Sequence, residues 1–129
     1  MGQFLTSSFL GADSVELLTS YDRERGTTVR GWSNPAAASR HLPHVDLYLL
    51  TSERTGSAAE ALVFVLEMLK RGIVVGQRTA GGAHAGGWVP LRNGFVVFIP
   101  NARGFDPRTA MMTEETRDHL QYLRDRIKR

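Results

Sequence analysis

Cysteine is missing from all 129 residues, which excludes disulfides and thiolate metal sites and leaves the compartment unreadable from redox chemistry. Lysine is nearly as scarce: Lys70 and Lys128 are the only two, so the formal charge of +3 rests on arginine. No apolar run approaches the ~20 residues of a membrane-spanning helix, and no membrane span is expected. The start, Met1-Gly2-Gln3-Phe4-Leu5-Thr6, has neither the basic residues nor the apolar stretch of a signal peptide. Basic residues gather at Arg117, Arg124, Arg126, Lys128 and Arg129, but only Tyr122 lies among them. A stacking platform needs interleaved aromatics, so nucleic acid is not expected as a partner. His41, His44, His84 and His119 show no ligand spacing with a carboxylate on a common face, which argues against a metal. The glycine-rich stretch from Gly76 to Gly87 has neither a P-loop lysine nor the G-x-G-x-x-G order, and no cofactor is implied.

The sequence is otherwise that of an ordinary folded domain, 42% apolar and 22% charged, long enough for one modest core. Gly2 to Leu10 reads as a weak helix stopped by Gly11. Ser14 to Tyr21 and Thr27 to Trp32 read as a hairpin around Asp22-Arg23-Glu24-Arg25-Gly26. Val45 to Leu50 is a short buried strand. From Ser57 to Lys70, Ala61, Leu62, Val65, Leu66 and Leu69 recur at helical spacing, with Gly72 as the closing residue. Ile73-Val74-Val75 is the next strand, and strand–helix–strand in this order implies parallel pairing. Trp88 to Leu91 and Phe95 to Ile99 flank Asn93-Gly94, a strong hairpin signal. Thr113 to Lys128 reads as a helix capped by Thr113.

Chemistry concentrates at Thr55-Gly56-Ser57-Ala58-Ala59-Glu60, where a loop leaving the buried strand opens a helix. Loops at the carboxyl ends of such strands are where ligands collect. The first-turn N–H groups of Ala58 and Ala59, with the helix dipole, would stabilise an oxyanion beside Ser57. A bare S-x-x-E pattern, however, reads first as a capping box formed by Ser57 and Glu60.

Leu50 to Gly86 resembles the nucleophile region of the tail-specific (C-terminal processing) serine peptidases. The likeness is to the branch holding tricorn core protease and the modules of interphotoreceptor retinoid-binding protein. The family's T-x-S-A-x-E turn is matched at Ser57, its nucleophile position, and G-x-x-T-x-G is matched by Gly76, Thr79 and Gly81. The resemblance implies an α/β, partial ClpP/crotonase-like fold of β-β-α units with a mainly parallel sheet flanked by helices. Residues 1–112 would form a partial peptidase domain and residues 113–129 a basic C-terminal helix. It implies a serine-type peptidase acting on peptides or unfolded protein C-termini, with Gly56, Ala58, Thr79 and Gly81 around the oxyanion and substrate. An exported relative would place it in the cell envelope or outside the cytoplasm.

Several family features are not matched. Gly82 stands where the Ser–Lys branch has its lysine, and neither the tricorn-type histidine segment nor the oxyanion segment D-L-R-x-N-x-G-G is present. Pro107, Thr109 and Glu114 fall at the spacing of the family's N-P-x-T-…-W-E stretch, which makes Glu114 the candidate carboxylate, although Thr113 replaces the tryptophan. His84 is the candidate substitute base or substrate contact. The expectation is a fragment that is inactive alone and forms a homo-oligomer. The alternative is a non-catalytic retinoid- or lipid-binding module.

Overall fold

A computed structural model describes residues 2–37, 41–82 and 84–110. The expected helix at 113–128, the C-terminal unit 113–129 and Glu114 lie outside the described residues. Helix α1 spans Gly2–Ser8, and strands β1 (Glu16–Asp22) and β2 (Thr27–Trp32) follow as the expected hairpin. After a 3-10 turn at Pro35–Ala37 come β3 (Tyr48–Thr51), helix α2 (Ala58–Met68) and β4 (Ile73–Gly76). Strands β5 (Ala85–Pro90) and β6 (Val96–Phe105) close the described chain.

The expected mainly parallel sheet flanked by helices is not what forms. The larger sheet has four strands in the order β2-β1-β6-β5, and each of its pairings is antiparallel. Among the described residues parallel pairing is confined to β3 and β4, in register from Tyr48 opposite Ile73 to Thr51 opposite Gly76. The reason is local turn chemistry. Asn93 (φ 60°, ψ 28°) and Gly94 (φ 78°) both take left-handed backbone, as a hairpin turn matched to strand twist requires. Gly26 (φ 63°) does the same in the β1–β2 turn. Two hairpins are thereby committed to antiparallel pairing, and β1 joins them by pairing with β6 from Thr19–Phe105 to Asp22–Ala102.

Strand β6 is longer than the apolar run 95–99 predicts because its second half pairs with β1. Pro100 sits inside it opposite Gly86, where the β5 register shifts. A side chain at Gly86 would place Cβ 2.3 Å from the Ile99 carbonyl oxygen, so this close approach needs glycine.

Helix α2 supplies the core. Phe64 and Leu66 are fully buried, and Phe64 and Val65 pack with Leu10 and Leu17. Each such side chain contributes about 1.5–3 kcal/mol by burial. The helix ends earlier than the apolar spacing suggests, and Lys70 (φ 54°) takes the left-handed position in place of Gly72. Gly72 is instead pressed against Leu49, whose Cδ1 would lie 2.9 Å from an added Cβ. Arg71 fastens the region from beyond the helix: Nε donates to the Phe9 carbonyl at 2.6 Å, and Nη2 to those of Leu42 and Val45 at 2.7 and 2.8 Å. At the other end, the Ser7 hydroxyl, buried in α1, accepts the Asn34 N–H at 2.9 Å and donates to the Gln3 carbonyl at 2.7 Å.

Candidate active site

Strands β3 and β4 run side by side, so the loops leaving their carboxyl ends emerge together. Backbone bonds lace these loops to one another. Gln77 N–H donates to the Thr51 carbonyl at 2.9 Å, and Ala80 N–H to the Thr55 carbonyl at 2.8 Å. The Thr51 hydroxyl donates to the Gln77 carbonyl at 2.7 Å. Gly76 allows the approach: its φ is 131°, and an added Cβ would fall 2.1 Å from the Thr51 oxygen. The first loop tightens on itself, with Thr55 N–H donating to the Ser52 carbonyl at 2.9 Å and Ser52 N–H to Thr55 Oγ1 at 3.0 Å.

Ser57 terminates that loop with φ 56° and ψ −123°. An ordinary N-cap has extended backbone, so a capping role by itself does not call for this conformation. Left-handed backbone at a residue with a side chain costs about 1–3 kcal/mol and persists only where its surroundings impose it. Glu60 imposes it. Its Oε2 accepts the Ser57 N–H at 2.7 Å, completing the expected capping box.

Glu60 does more than cap. Oε1 accepts the Gly81 N–H at 2.6 Å, Oε2 accepts the Gly82 N–H at 2.9 Å, and the Thr79 hydroxyl also bonds to the carboxylate. The side chain is 6% exposed. Burial pushes the Glu60 pKa up, but the hydrogen bonds from Thr79, Gly81, Gly82 and Ser57 outweigh it and hold the group below the ordinary value, as a carboxylate. One buried charge thus locks the Ser57 turn to the second loop. Sequence reading assigned Glu60 only to the cap. The available signal was Gly81-Gly82, two successive glycine N–H groups able to form an anion-binding nest.

The other candidates are placed as follows. Ser57, Ala58 and Ala59 are exposed at the start of α2, and Gly56 is half-buried behind them. Ala59 N–H is taken by the Gly56 carbonyl at 3.2 Å and Ser57 N–H by Glu60, which leaves Ala58 N–H as the turn's donor without an acceptor among the described residues. Thr79 is buried, and its hydroxyl and the Gly81 N–H are directed at Glu60. His84 borders a separate cavity with Tyr21, Arg23, Asn101 and Arg103, whose lining includes neither Ser57 nor Glu60. Lys70 lies beyond the far end of the eleven-residue α2, roughly 16 Å along the axis from Ser57. Among the described residues no group of three or more acidic, histidine or cysteine side chains is arranged to hold a metal, and no helix is long and apolar enough to cross a membrane.

An open apolar groove of about 540 Å³ begins at Ala58, one residue from Ser57. Leu17, Leu18, Trp32, Leu62 and Val65 form its apolar wall.

Comparison with known proteins places the chain in a family and gives likenesses of fold. The sequence model described as peptidase family S41 matches residues 5–119. A Parabacteroides merdae protein assigned as a peptidase superimposes with a TM-score of 0.70 at 23% identity, over 88% of this chain and 36% of its own. The photosystem II D1 C-terminal processing protease gives a TM-score of 0.65 at 24% identity, over 87% of this chain and 27% of its own. An S41 protease assignment from Bacteroides fragilis gives 0.63 at 20% identity, over 81% of this chain and 29% of its own. The chain therefore spans about a third of the length of these structures, and the similarity to them is one of fold.

Proposed function

The chain belongs to peptidase family S41, and from that premise we propose that Ser57 is the nucleophile of a serine-type peptide hydrolysis. The observation that carries the reading is the backbone of Ser57, φ 56° and ψ −123°, held at the mouth of α2 by Glu60. A strained turn between strand and helix presents a hydroxyl outward, with helical N–H groups beside it. In this reading Ser57 Oγ attacks the carbonyl carbon of the scissile peptide, and its proton passes to a base. The tetrahedral oxyanion accepts from the Ala58 N–H, backed by the dipole of α2. Collapse expels the amine, which takes the proton, and water then hydrolyses the acyl-enzyme.

Thr79 and Gly81 act in this scheme through Glu60, by holding the turn rather than by touching substrate. The groove from Ala58 to Trp32 suits an apolar side chain next to the scissile bond. No imidazole or amine bonds Ser57 among the described residues, and the scheme draws its base from the rest of the molecule or from a second copy, with Glu114 as its candidate carboxylate. On this account the described region alone is inactive. A fluorophosphonate probe tests the nucleophile in the full-length parent: labelling should map to Ser57 and vanish in Ser57→Ala. Labelling that survives the substitution would remove Ser57 from the reaction.

The same apolar groove favours one second reading, a non-catalytic module that binds a retinoid or another lipid. Saturable retinol binding that is blocked by Leu62→Arg, together with no labelling of Ser57 in the parent, would select it.

A further inference from the structure

Three strands bring two arginines and a histidine from distant parts of the chain to one small cavity. Tyr21 lies opposite Arg103 across β1 and β6, and Arg23 N–H donates to the Asn101 carbonyl at 2.8 Å just beyond that pair. Side chains two apart on a strand share a face, so Tyr21 and Arg23 stand beside Arg103 and Asn101. Strand β5 begins at Ala85, opposite Ala102, which brings His84 to the same edge. These five residues border a cavity of about 260 Å³.

Its charge is one-sided. Among the described residues no carboxylate lines the cavity. Asp22, between Tyr21 and Arg23, is turned to its own loop, where it accepts the N–H groups of Glu24 and Arg25 and pairs with the Arg25 guanidinium at 3.2 Å. Glu24 accepts a hydrogen bond from the Asn101 amide at 3.3 Å, in an exposed position. Neither Arg23 nor Arg103 has an ion-pair partner among the described residues. The Arg103 guanidinium is held over the Tyr21 ring, 5.7 Å from its centroid, which orders it before anything binds. A planar, pre-ordered guanidinium is suited to a bidentate carboxylate or phosphate. The volume lies below the roughly 300–1,000 Å³ of drug-sized sites, which limits the occupant to a small anionic group.

We infer that this cavity is an anion-binding site for a carboxylate or phosphate group, with Arg103 and Arg23 as the main ligands and His84 and the Asn101 amide as further donors. Its position relative to Ser57 is bounded. Ser57 N and Gly82 N both bond Glu60 Oε2, at 2.7 and 2.9 Å. His84 is two residues further, so its backbone nitrogen is at most about 13 Å from that of Ser57. If Ser57 is the nucleophile, as read above, a short peptide acid is long enough to span the two; a free inorganic anion is the other source of the same chemistry.

The test uses the Ser57→Ala chain, so that binding is measured apart from any hydrolysis. Inorganic phosphate, N-acetyl-alanyl-alanine and its C-terminal amide are titrated calorimetrically at low ionic strength. Saturable binding of phosphate or of the peptide acid, weakened by salt and absent for the amide, is expected. Binding of the acid but not phosphate identifies a peptide terminus, and the reverse identifies a free anion. Arg103→Gln should weaken binding at least tenfold with unchanged circular dichroism. Arg23→Gln, at an exposed position, should do the same where Arg103→Gln disturbs folding, and Arg54→Gln, outside the cavity, should have no effect. Absence of saturable binding, or full affinity in both Arg23→Gln and Arg103→Gln, overturns the site.

Discussion

Glu60 Oε2 accepts the backbone N–H of Ser57 at 2.7 Å while the same carboxylate takes the N–H groups of Gly81 and Gly82, so a single side chain sets both motifs of the site against each other. The first motif's glutamate and the second motif's Thr79 and Gly81, with Gly82 beside them, are parts of one clamp.

Removing that clamp should cost stability and function together. Hydrogen bonds to a charged group are worth about 1.5–3 kcal/mol net, and Glu60→Gln presents an amide N–H₂ where backbone donors already point. We expect Glu60→Gln to destabilise the chain by about 2–3 kcal/mol in denaturant unfolding. Probe labelling of Ser57 in the parent should fall as well. Wild-type stability in the variant would show that the backbone bonds donated by Ala80 to Thr55 and by Gln77 to Thr51 suffice.

Acid should loosen the same region. Glu60 and Asp106 are both held below their ordinary values of 4.5 and 3.8. Burial opposes ionisation at Asp106, but bonds from the Arg108 guanidinium, the Thr109 hydroxyl and the Arg108 N–H prevail. A depressed folded pKa contributes stability that is present above the ordinary value and lost as pH falls through the folded one. The denaturation midpoint should therefore hold at neutral pH and drop as pH passes below about 4.5. The drop should be shallower in Glu60→Gln. An acid dependence identical in that variant would assign it elsewhere.

Backbone strain at Ser57 separates stability from chemistry. Glycine accepts φ 56° without cost, whereas alanine keeps the Cβ that makes it unfavourable. Ser57→Gly should unfold about 1 kcal/mol later than Ser57→Ala, although both lose probe labelling. Equal stabilities would mean that the turn relaxes in solution to an ordinary cap.

The β5–β6 hairpin should make the isolated chain associate. Trp88 and Phe95 are each 69% exposed, Val96, Phe98 and Ile99 are also exposed, and β5 is an edge strand. Such an edge with apolar faces pairs readily with a second copy. Sedimentation should show concentration-dependent dimers or larger species, reduced by Trp88→Lys or Val89→Lys. A monomer at high concentration would mean the hairpin is tolerated in water as it stands.

Helix α2, the β1–β2 and β5–β6 hairpins and the β3–β4 parallel pair were determined by the sequence, because each rests on contacts within about thirty residues: helical apolar spacing, a two-residue Asn-Gly turn, a strand–helix–strand order. The position of Ser57 was legible for a related reason, as a short motif at the start of a helix. Tertiary structure alone decided the rest. The two antiparallel hairpins became one four-stranded sheet because β1 paired with β6, some eighty residues later, which no local period encodes. Glu60 became the keystone of the site because two loops from parallel strands emerge at the same place, and the arginines at 23 and 103 meet His84 only once three strands are side by side. A buried carboxylate and two neighbouring guanidiniums take their meaning from who surrounds them, and that depends on pairing over distances the sequence order conceals.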